Sequence, residues 1–212
     1  MVLRYTAGLQ RENILHLPYP GYIWRRDGQS YSDKFLDVAT ASARSALAQH
    51  YGKAGDPAII DRAVSKDLHR VRFDSKRSDW PKVSVVIPSR DAFPLISRLL
   101  ESLLNFTEYP SLEIIVVDNG SKDQRVISLY EQLRRTSRNF RVEINEEPFN
   151  FSRSVNRGFS IATGEYVCLP NNDIEILEPK WLEEMVSCFS YPHTGIVGAK
   201  LLYPDRTLQM LV

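Results

Sequence analysis

The sequence is short of the features that mark specialised classes of protein. Two cysteines in 212 residues, Cys168 and Cys188, are too few for a disulfide framework. Both lie in apolar runs, which reads as reduced core thiols in a reducing compartment. No run approaches the ~20 apolar residues that a membrane-crossing helix needs. The opening MVLRYTAGLQRENILHL has no apolar core of signal-peptide length. These absences indicate a cytoplasmic protein and leave attachment at the inner face of a membrane open. Nor is there an excess of one charge: 27 Lys and Arg against 26 Asp and Glu give a net charge of +1, so nothing draws the chain to nucleic acid. Four familiar site signatures are missing as well. There is no G-x-G-x-x-G after the first long apolar run, which argues against a dinucleotide fold of the usual kind, and no G-x-x-x-x-G-K-[ST] phosphate loop. There is no G-x-S-x-G elbow for a hydrolytic serine. His16, His50, His69 and His193 are scattered, without the H-E-x-x-H spacing of a zinc site.

What remains is ordinary globular composition, 43% hydrophobic and 25% charged, with length for one full domain or a domain plus a fragment. Residues 1–80 differ in texture from the rest and read as a mainly helical N-terminal extension. The segment LHLPYPGYIW (15–24) is strand-like and broken by turns. From Ser32 a helical pattern runs to near Gly52, with Phe35, Leu36, Ala39, Ala43, Leu47 and Tyr51 on one face. Pro57 is placed to open a second, shorter helix, PAIIDRAVSKD. HRVRF reads as a short strand, and the charged DSKRSDWPK as a boundary before a second module at 81–212.

Beyond Pro81 the pattern becomes regular. VSVVIP (83–88) and LEIIVVD (112–118) are continuous apolar runs, as strands covered on both faces require. FRVEIN (140–145) and EYVCLP (165–170) are further strands. Amphipathic helices are expected over 95–106, 124–137, 152–163 and 179–190, and TGIVGAKLLYP (194–204) begins another strand. Strand and helix in alternation predict an α/β fold: a mostly parallel sheet with helices on both faces.

Such a sheet binds ligands outside the carboxyl ends of its strands. The four ends here carry Pro88-Ser89-Arg90-Asp91, then Asp118-Asn119-Gly120-Ser121-Lys122-Asp123, then Glu146-Glu147-Pro148-Phe149-Asn150-Phe151-Ser152-Arg153, then Asn171-Asn172-Asp173. Alone, Asn171-Asn172-Asp173 reads as a turn. On a shared rim its oxygens could hold a hard cation, Mg²⁺ or Mn²⁺, and the hydroxyls of a ligand. Asp118 could accept the imide N–H of a base such as uracil or thymine, or cap its own turn. Asp91 could border a ligand or cap the helix that follows. Arg153 could approach a ligand or simply lie exposed. Gly158 would permit close packing or break the helix, and Phe149 and Phe151 read as packing residues.

In order and spacing, VSVVIPSRD, EIIVVDNGSKD, PFNFSRSVNRG, GEYVCLPNNDIEIL and VGAKLLYPD resemble the nucleotide-binding half of family 2 glycosyltransferases, from about Lys82 onward. The resemblance implies a GT-A, Rossmann-like fold that binds a nucleotide-diphosphate sugar, UDP- or dTDP-linked, with Mg²⁺ or Mn²⁺. It assigns Asp118 to the base, with Pro88, Ser89 and Asp91 bordering base and ribose and Asn119 beside them. Arg153 and Asn156 fall in the helix that approaches the base or diphosphate. Asn171 or Asn172 touches the ribose, and Asp173 ligates the metal. The family motif is usually D-x-D; this chain has amides first, a form that the family also uses.

The implied reaction is inverting transfer to a saccharide or lipid-linked acceptor in cell-surface polysaccharide synthesis. The family's catalytic base lies well downstream of the metal motif, so a chain ending at Val212 is expected to bind donor and metal without that base. PYPGYIWRRDGQS and the Ala-rich helix after it resemble the tail of a preceding module in tandem enzymes. A truncated sheet edge would offer a route to self-association. Two other readings are a sugar nucleotidyltransferase, which would want a Gly-rich loop where PSRDAFP stands, and a non-catalytic interaction domain.

Overall fold

The computed structural model describes residues 9–13, 31–55, 58–63, 68–73, 79–191 and 193–210. The turn-broken segment expected at 15–24 lies outside them. The chain divides into two compact units, Met1–Ser75 with Val186–Val212, and Lys76–Met185.

In the first unit, helix α1 spans Tyr31–Ala54, close to the expected bounds. It kinks at Phe35 (φ −116°, ψ 17°), and that ring is exposed rather than inward. Leu36, Ala43, Leu47 and Tyr51 of the expected stripe are half-buried. Tyr51 packs edge-on against Phe73 and Tyr191, with ring centroids 5.4 and 5.9 Å away.

The helix expected from Pro57 is not formed. Ala58–Arg62 is instead strand β1, paired antiparallel with β2 (His69–Phe73), the strand that HRVRF suggested. Two adjacent β-branched residues, Ile59 and Ile60, favour the pleated backbone. The pairing sets Ile60 opposite Val71, and Arg72 forms an ion pair with Asp61.

The second unit is the one that matters for function. Its sheet is four-stranded and wholly parallel, in the order β5-β4-β3-β6. The strands are β3 (Val83–Ser89), β4 (Leu112–Asp118), β5 (Phe140–Ile144) and β6 (Tyr166–Cys168). The central pair is buried along almost its whole length, as a parallel sheet covered on both faces demands. Helices α2 (Phe93–Phe106) and α3 (Gln124–Thr136) connect strands that step in one direction. Right-handed crossovers therefore place them on one face, and α4 (Phe151–Ile161), which carries the chain back across the sheet to β6, on the other. Ile96, Leu99, Leu100 and Leu103 of α2 are buried as expected, while Leu95 is exposed.

Gly158 sets how close α4 lies. A Cβ there would sit 2.2 Å from Val86 Cγ1 and 3.0 Å from Val117 Cγ2. The glycine thus permits close packing. Ile161, Ala162 and Val167 extend the same contact over Val86, Ile115 and Val117.

At the sheet's amino edge one carboxylate interrupts the apolar run. Glu113 is buried and accepts from Ser84 Oγ (2.6 Å), the Thr163 amide (3.0 Å) and Thr163 Oγ1 (3.1 Å). Lys82 and Arg141 supply the counter-charge. The Gly164 amide also donates to Ser84 Oγ (2.9 Å), so the end of α4 is fastened to the sheet.

Helix α5 (Trp181–Ser187) is shorter than expected and passes into a single 3₁₀ turn at Cys188–Ser190. Both cysteines are free thiols. The strand expected over 194–204 is reduced to β7 (Leu201–Leu202), paired antiparallel with β8 (Leu208–Met210). Gly195 and Gly198 interrupt the run before it, and Ile196 between them is 89% exposed. Among the described residues no helix is long and apolar enough to cross a membrane.

Replacing Gly158 by Ala tests the packing. Alanine would gain up to about 1 kcal/mol of helix propensity. Overpacking against Val86 costs about 1–3 kcal/mol, so the expected result is net destabilisation. Urea unfolding should show a lowered midpoint; an unchanged or raised midpoint would contradict the geometry.

Candidate functional site

The carboxyl ends of β3, β4 and β5 are laced together before any ligand is considered. Asp118, the last residue of β4, is buried. Its carboxylate accepts from the Ser121 amide (2.7 Å), Ser121 Oγ (2.6 Å) and Tyr130 Oη (3.0 Å). Burial first, and the Asp118 charge second, push the Tyr130 phenol far above its ordinary range, so it stays a donor. Ser121 Oγ in turn accepts from the Asp91 amide (2.6 Å). Asp91 Oδ1 answers by accepting from the amides of Lys122 (2.7 Å) and Asp123 (3.0 Å).

Asp91 is therefore a strut between the loops after β3 and β4, not the cap of its own helix. The N-cap of α2 is Ala92, which makes no side-chain cap. Asp91 and Ala92 both hold left-handed backbone (φ 49° and 51°), a conformation that costs energy in residues with a side chain. The Asp123 amide first, and the Lys122 amide next, hold the Asp91 carboxyl below its ordinary range.

The loop after β5 is drawn into the same network. The Asn119 amide donates to the Ser89 carbonyl (2.8 Å), and Asn119 Nδ2 donates to the carbonyls of Asn145 (3.0 Å) and Glu147 (2.8 Å). Gly120 takes φ 72°, and a Cβ there would meet Glu146 Cγ at 3.0 Å. The β5–α4 loop thus crosses the end of β4 and delivers α4 beside β3. Asn150 caps α4 by accepting from the Arg153 amide (2.9 Å).

These tethers border a cleft of about 320 Å³. One wall is Pro88, Ser89 and Arg90, another is Asn171, Asn172 and Asp173, and Phe149 and Phe151 complete it. Asn172 Nδ2 donates to Ser89 Oγ (3.1 Å), which ties the turn after β6 to the end of β3. Asn171 and Asp173 are exposed to the cleft. Arg90 Nε lies 4.0 Å from the carboxylate of its neighbour Asp91.

The structure thus gathers Pro88, Ser89, Asn171, Asn172 and Asp173 in one place. Asp118, Asn119 and Asp91 belong to the framework behind the rim, and the Asn119 Oδ1 atom is buried without a partner. Arg153 lies exposed on the first turn of α4, paired with Glu147 (3.0 Å), and Asn156 is exposed further along that helix. Arg90, given no role by the sequence pattern, also lines the cleft. Phe149 and Phe151 depart from the packing role expected of them: they are 60% and 51% exposed and line the cleft. Their place in the loop between a parallel strand and its crossover helix was the available signal.

Among the described residues no three His, Cys, Asp or Glu side chains are grouped to hold a metal. Asp173 alone still suits Mg²⁺ or Mn²⁺, since such ions are often held by one or two carboxylates and complete their shell with substrate phosphates and water. A second cavity of about 300 Å³ lies at the amino edge, where Lys82, Glu113 and Arg141 already serve the fastening of α4.

The family model for glycosyl transferase family 2 matches residues 84–210. The chain is 34% identical over 216 residues to an uncharacterized protein, y4gI, of Sinorhizobium fredii, covering 99% of this chain and 23% of that protein. It is 33% identical over 200 residues to the O-antigen biosynthesis protein RfbC of Myxococcus xanthus, covering 93% of this chain and 15% of that one. The chain thus spans less than a quarter of either relative's length. Among solved structures, a mannosyltransferase of Pyrobaculum calidifontis in complex with GDP-Man and Mn²⁺ superposes with a TM-score of 0.51 at 21% identity, over 76% of this chain and 45% of that one. At that identity the likeness bears on the fold, and it agrees with the GT-A, Rossmann-like architecture.

The Asp91 strut has a pH signature. Its folded pKa is depressed, so its contribution is present above the ordinary aspartate value of about 3.9 and is lost as pH falls through the lower folded value. In an NMR titration the Asp91 carboxyl should inflect below that ordinary value, with the Lys122 and Asp123 amides shifting alongside it. An inflection at or above the ordinary value would remove the strut.

Proposed function

The chain belongs to glycosyl transferase family 2, and we propose that it forms the donor-binding part of an enzyme transferring a sugar from a nucleoside diphosphate to a saccharide or lipid-linked acceptor. The observation that carries this reading is the joining of Ser89 and Asn171-Asn172-Asp173 around one cleft at the carboxyl edge of a parallel sheet. Asp173 would hold a divalent cation by its carboxylate. Asn171 faces the ribose hydroxyls. Asn172 is held by Ser89, so it positions the turn that presents both neighbours. Pro88 and Ser89 border base and ribose.

Asp118 has about four acceptor sites and uses three; the fourth would take one imide N–H of a base once the rim parts to admit it to this buried side chain. Asn119 and Asp91 hold the rim. Arg153 reaches a ligand by leaving Glu147, and Asn156 lies a turn further along.

In the proposed transfer an acceptor hydroxyl attacks the anomeric carbon as the bond to the terminal phosphate oxygen breaks, with inversion. The proton of that hydroxyl goes to a carboxylate base in another part of the full protein. A divalent cation, when bound, offsets charge on the departing diphosphate. A role in O-antigen-type polysaccharide assembly at the inner face of the membrane fits the relative named for that pathway.

Calorimetric titration with UDP, dTDP and GDP, with and without Mn²⁺, tests the reading. At least one nucleotide should bind, more tightly with Mn²⁺, and Asp173→Ala should remove most of the Mn²⁺-dependent gain, about tenfold or more in Kd. An interaction domain would show binding untouched by Asp173→Ala, and a chain that binds none of the three in either condition would defeat the proposal.

A further inference from the structure

We infer that Phe149 and Phe151 form a stacking wall for the donor's nucleobase. This rests on the donor-binding reading and adds to it the side chains that grip the base by its face.

Both rings are more than half exposed, in a cleft whose other walls are mainly polar or charged. Local structure does not account for their exposure. A hydrophobic residue just before a helix N-cap often packs on the fourth helical residue, but with Asn150 as the cap of α4 that residue is Ser154, which offers Phe149 no apolar partner. Phe151 opens the helical stripe that continues through Ser154 and Gly158, the two buried residues of α4. That stripe faces the sheet through Gly158, so its first member overhangs the carboxyl end of β3 instead of resting on the sheet.

The loop that carries the rings is held in place. Asn119 binds the carbonyls of Asn145 and Glu147 just before them, and Asn150 caps the helix between them. Two large apolar faces are thus kept in water on a fixed backbone, opposite amides, a carboxylate and a guanidinium.

A ligand suited to that cleft has a flat, weakly hydrated part and a polar, anionic part. A nucleoside diphosphate has both: the base offers a π-face to the rings, and the ribose and diphosphate lie toward Asn171, Asp173 and Arg90. Aromatic stacking tolerates any base, so the wall supplies affinity and leaves the choice of base to hydrogen bonds at its edge.

The test uses the full chain and the variants Phe149→Leu, Phe151→Leu and the double variant, which keep apolar bulk and remove the π-face. Calorimetry measures three probes in Mn²⁺: whichever of UDP, dTDP or GDP binds the unmodified chain, a sugar nucleotide of the same base, and inorganic pyrophosphate. The double variant should weaken the nucleotide about tenfold and leave pyrophosphate within twofold, with an unchanged urea midpoint. Unchanged nucleotide affinity overturns the wall. So does an equal loss for both probes, which would mean that the rings only shape the phosphate end. A drop confined to a sugar nucleotide, with its parent nucleoside diphosphate unaffected, would assign the rings to the sugar instead. If the unmodified chain binds no nucleoside diphosphate, the donor reading itself fails, and that result is distinct from the other three.

Discussion

The approach of α4 to the sheet at Gly158 is the constraint on which the cleft depends. With no side chain at that position, the helix lies against Val86 and Val117, which fixes both its distance and its rotation. Its far end is tied down at Thr163 and Gly164 by Glu113 and Ser84. Its near end is set by the Asn150 cap and by the loop that Asn119 holds. A helix fixed in this way at both ends has one place to put its first turn, beside the carboxyl end of β3. The aromatic wall and Arg153 follow from a contact made two turns away.

The framework behind the rim is polar where a core is usually apolar. Asp118, Asn119 and Ser89 are all buried. Burying such groups is costly unless their hydrogen bonds are made, and almost all of them are. The network also holds two consecutive left-handed residues, Asp91 and Ala92, that the chain would not adopt unaided. Its effect is rigidity. The ends of β3, β4 and β5 meet through Asn119, and β6 joins through Asn172, so the cleft walls are in place before a ligand arrives. A pre-formed site spares the ordering cost that flexible loops would bring to binding.

How much of this was legible in the sequence varied with the kind of signal. VSVVIP and LEIIVVD were legible as buried strands because apolar residues run on without alternation, which only a sheet covered on both faces permits. The rim was legible because the edge that binds ligands follows from the parallel topology. PAIIDRAVSKD reads as a helix because a proline followed by mixed polar residues suits a helix start, while the choice of strand depends on a partner strand further along the chain, with Val71 opposite Ile60 and Arg72 opposite Ile59. Glu113 gave no hint of its role, since a lone acid in an apolar run shows its partners only when β3, β5 and the end of α4 converge on it. Phe149 and Phe151 look like any core aromatics in one dimension; the absence of a partner is visible only in three. For Asp118 the structure shows the turn reading: its carboxylate takes the Ser121 amide and hydroxyl.

The proposed site has a further consequence in its charge. Asn171 and Asn172 leave Asp173 as the one carboxylate among the residues that line the cleft, which Arg90 also lines. A single carboxylate holds a divalent cation weakly, because affinity for hard cations rises with the number of charged ligands. By the same reasoning it repels an incoming diphosphate less than two carboxylates would. A cation held by one carboxylate would take its other ligands from the diphosphate and water, so cation and nucleotide would raise each other's affinity by the same factor. The amide-rich form of the motif would favour joint binding of cation and nucleotide. The rigid rim would suit that arrangement, since its hydrogen bonds are in place without a ligand.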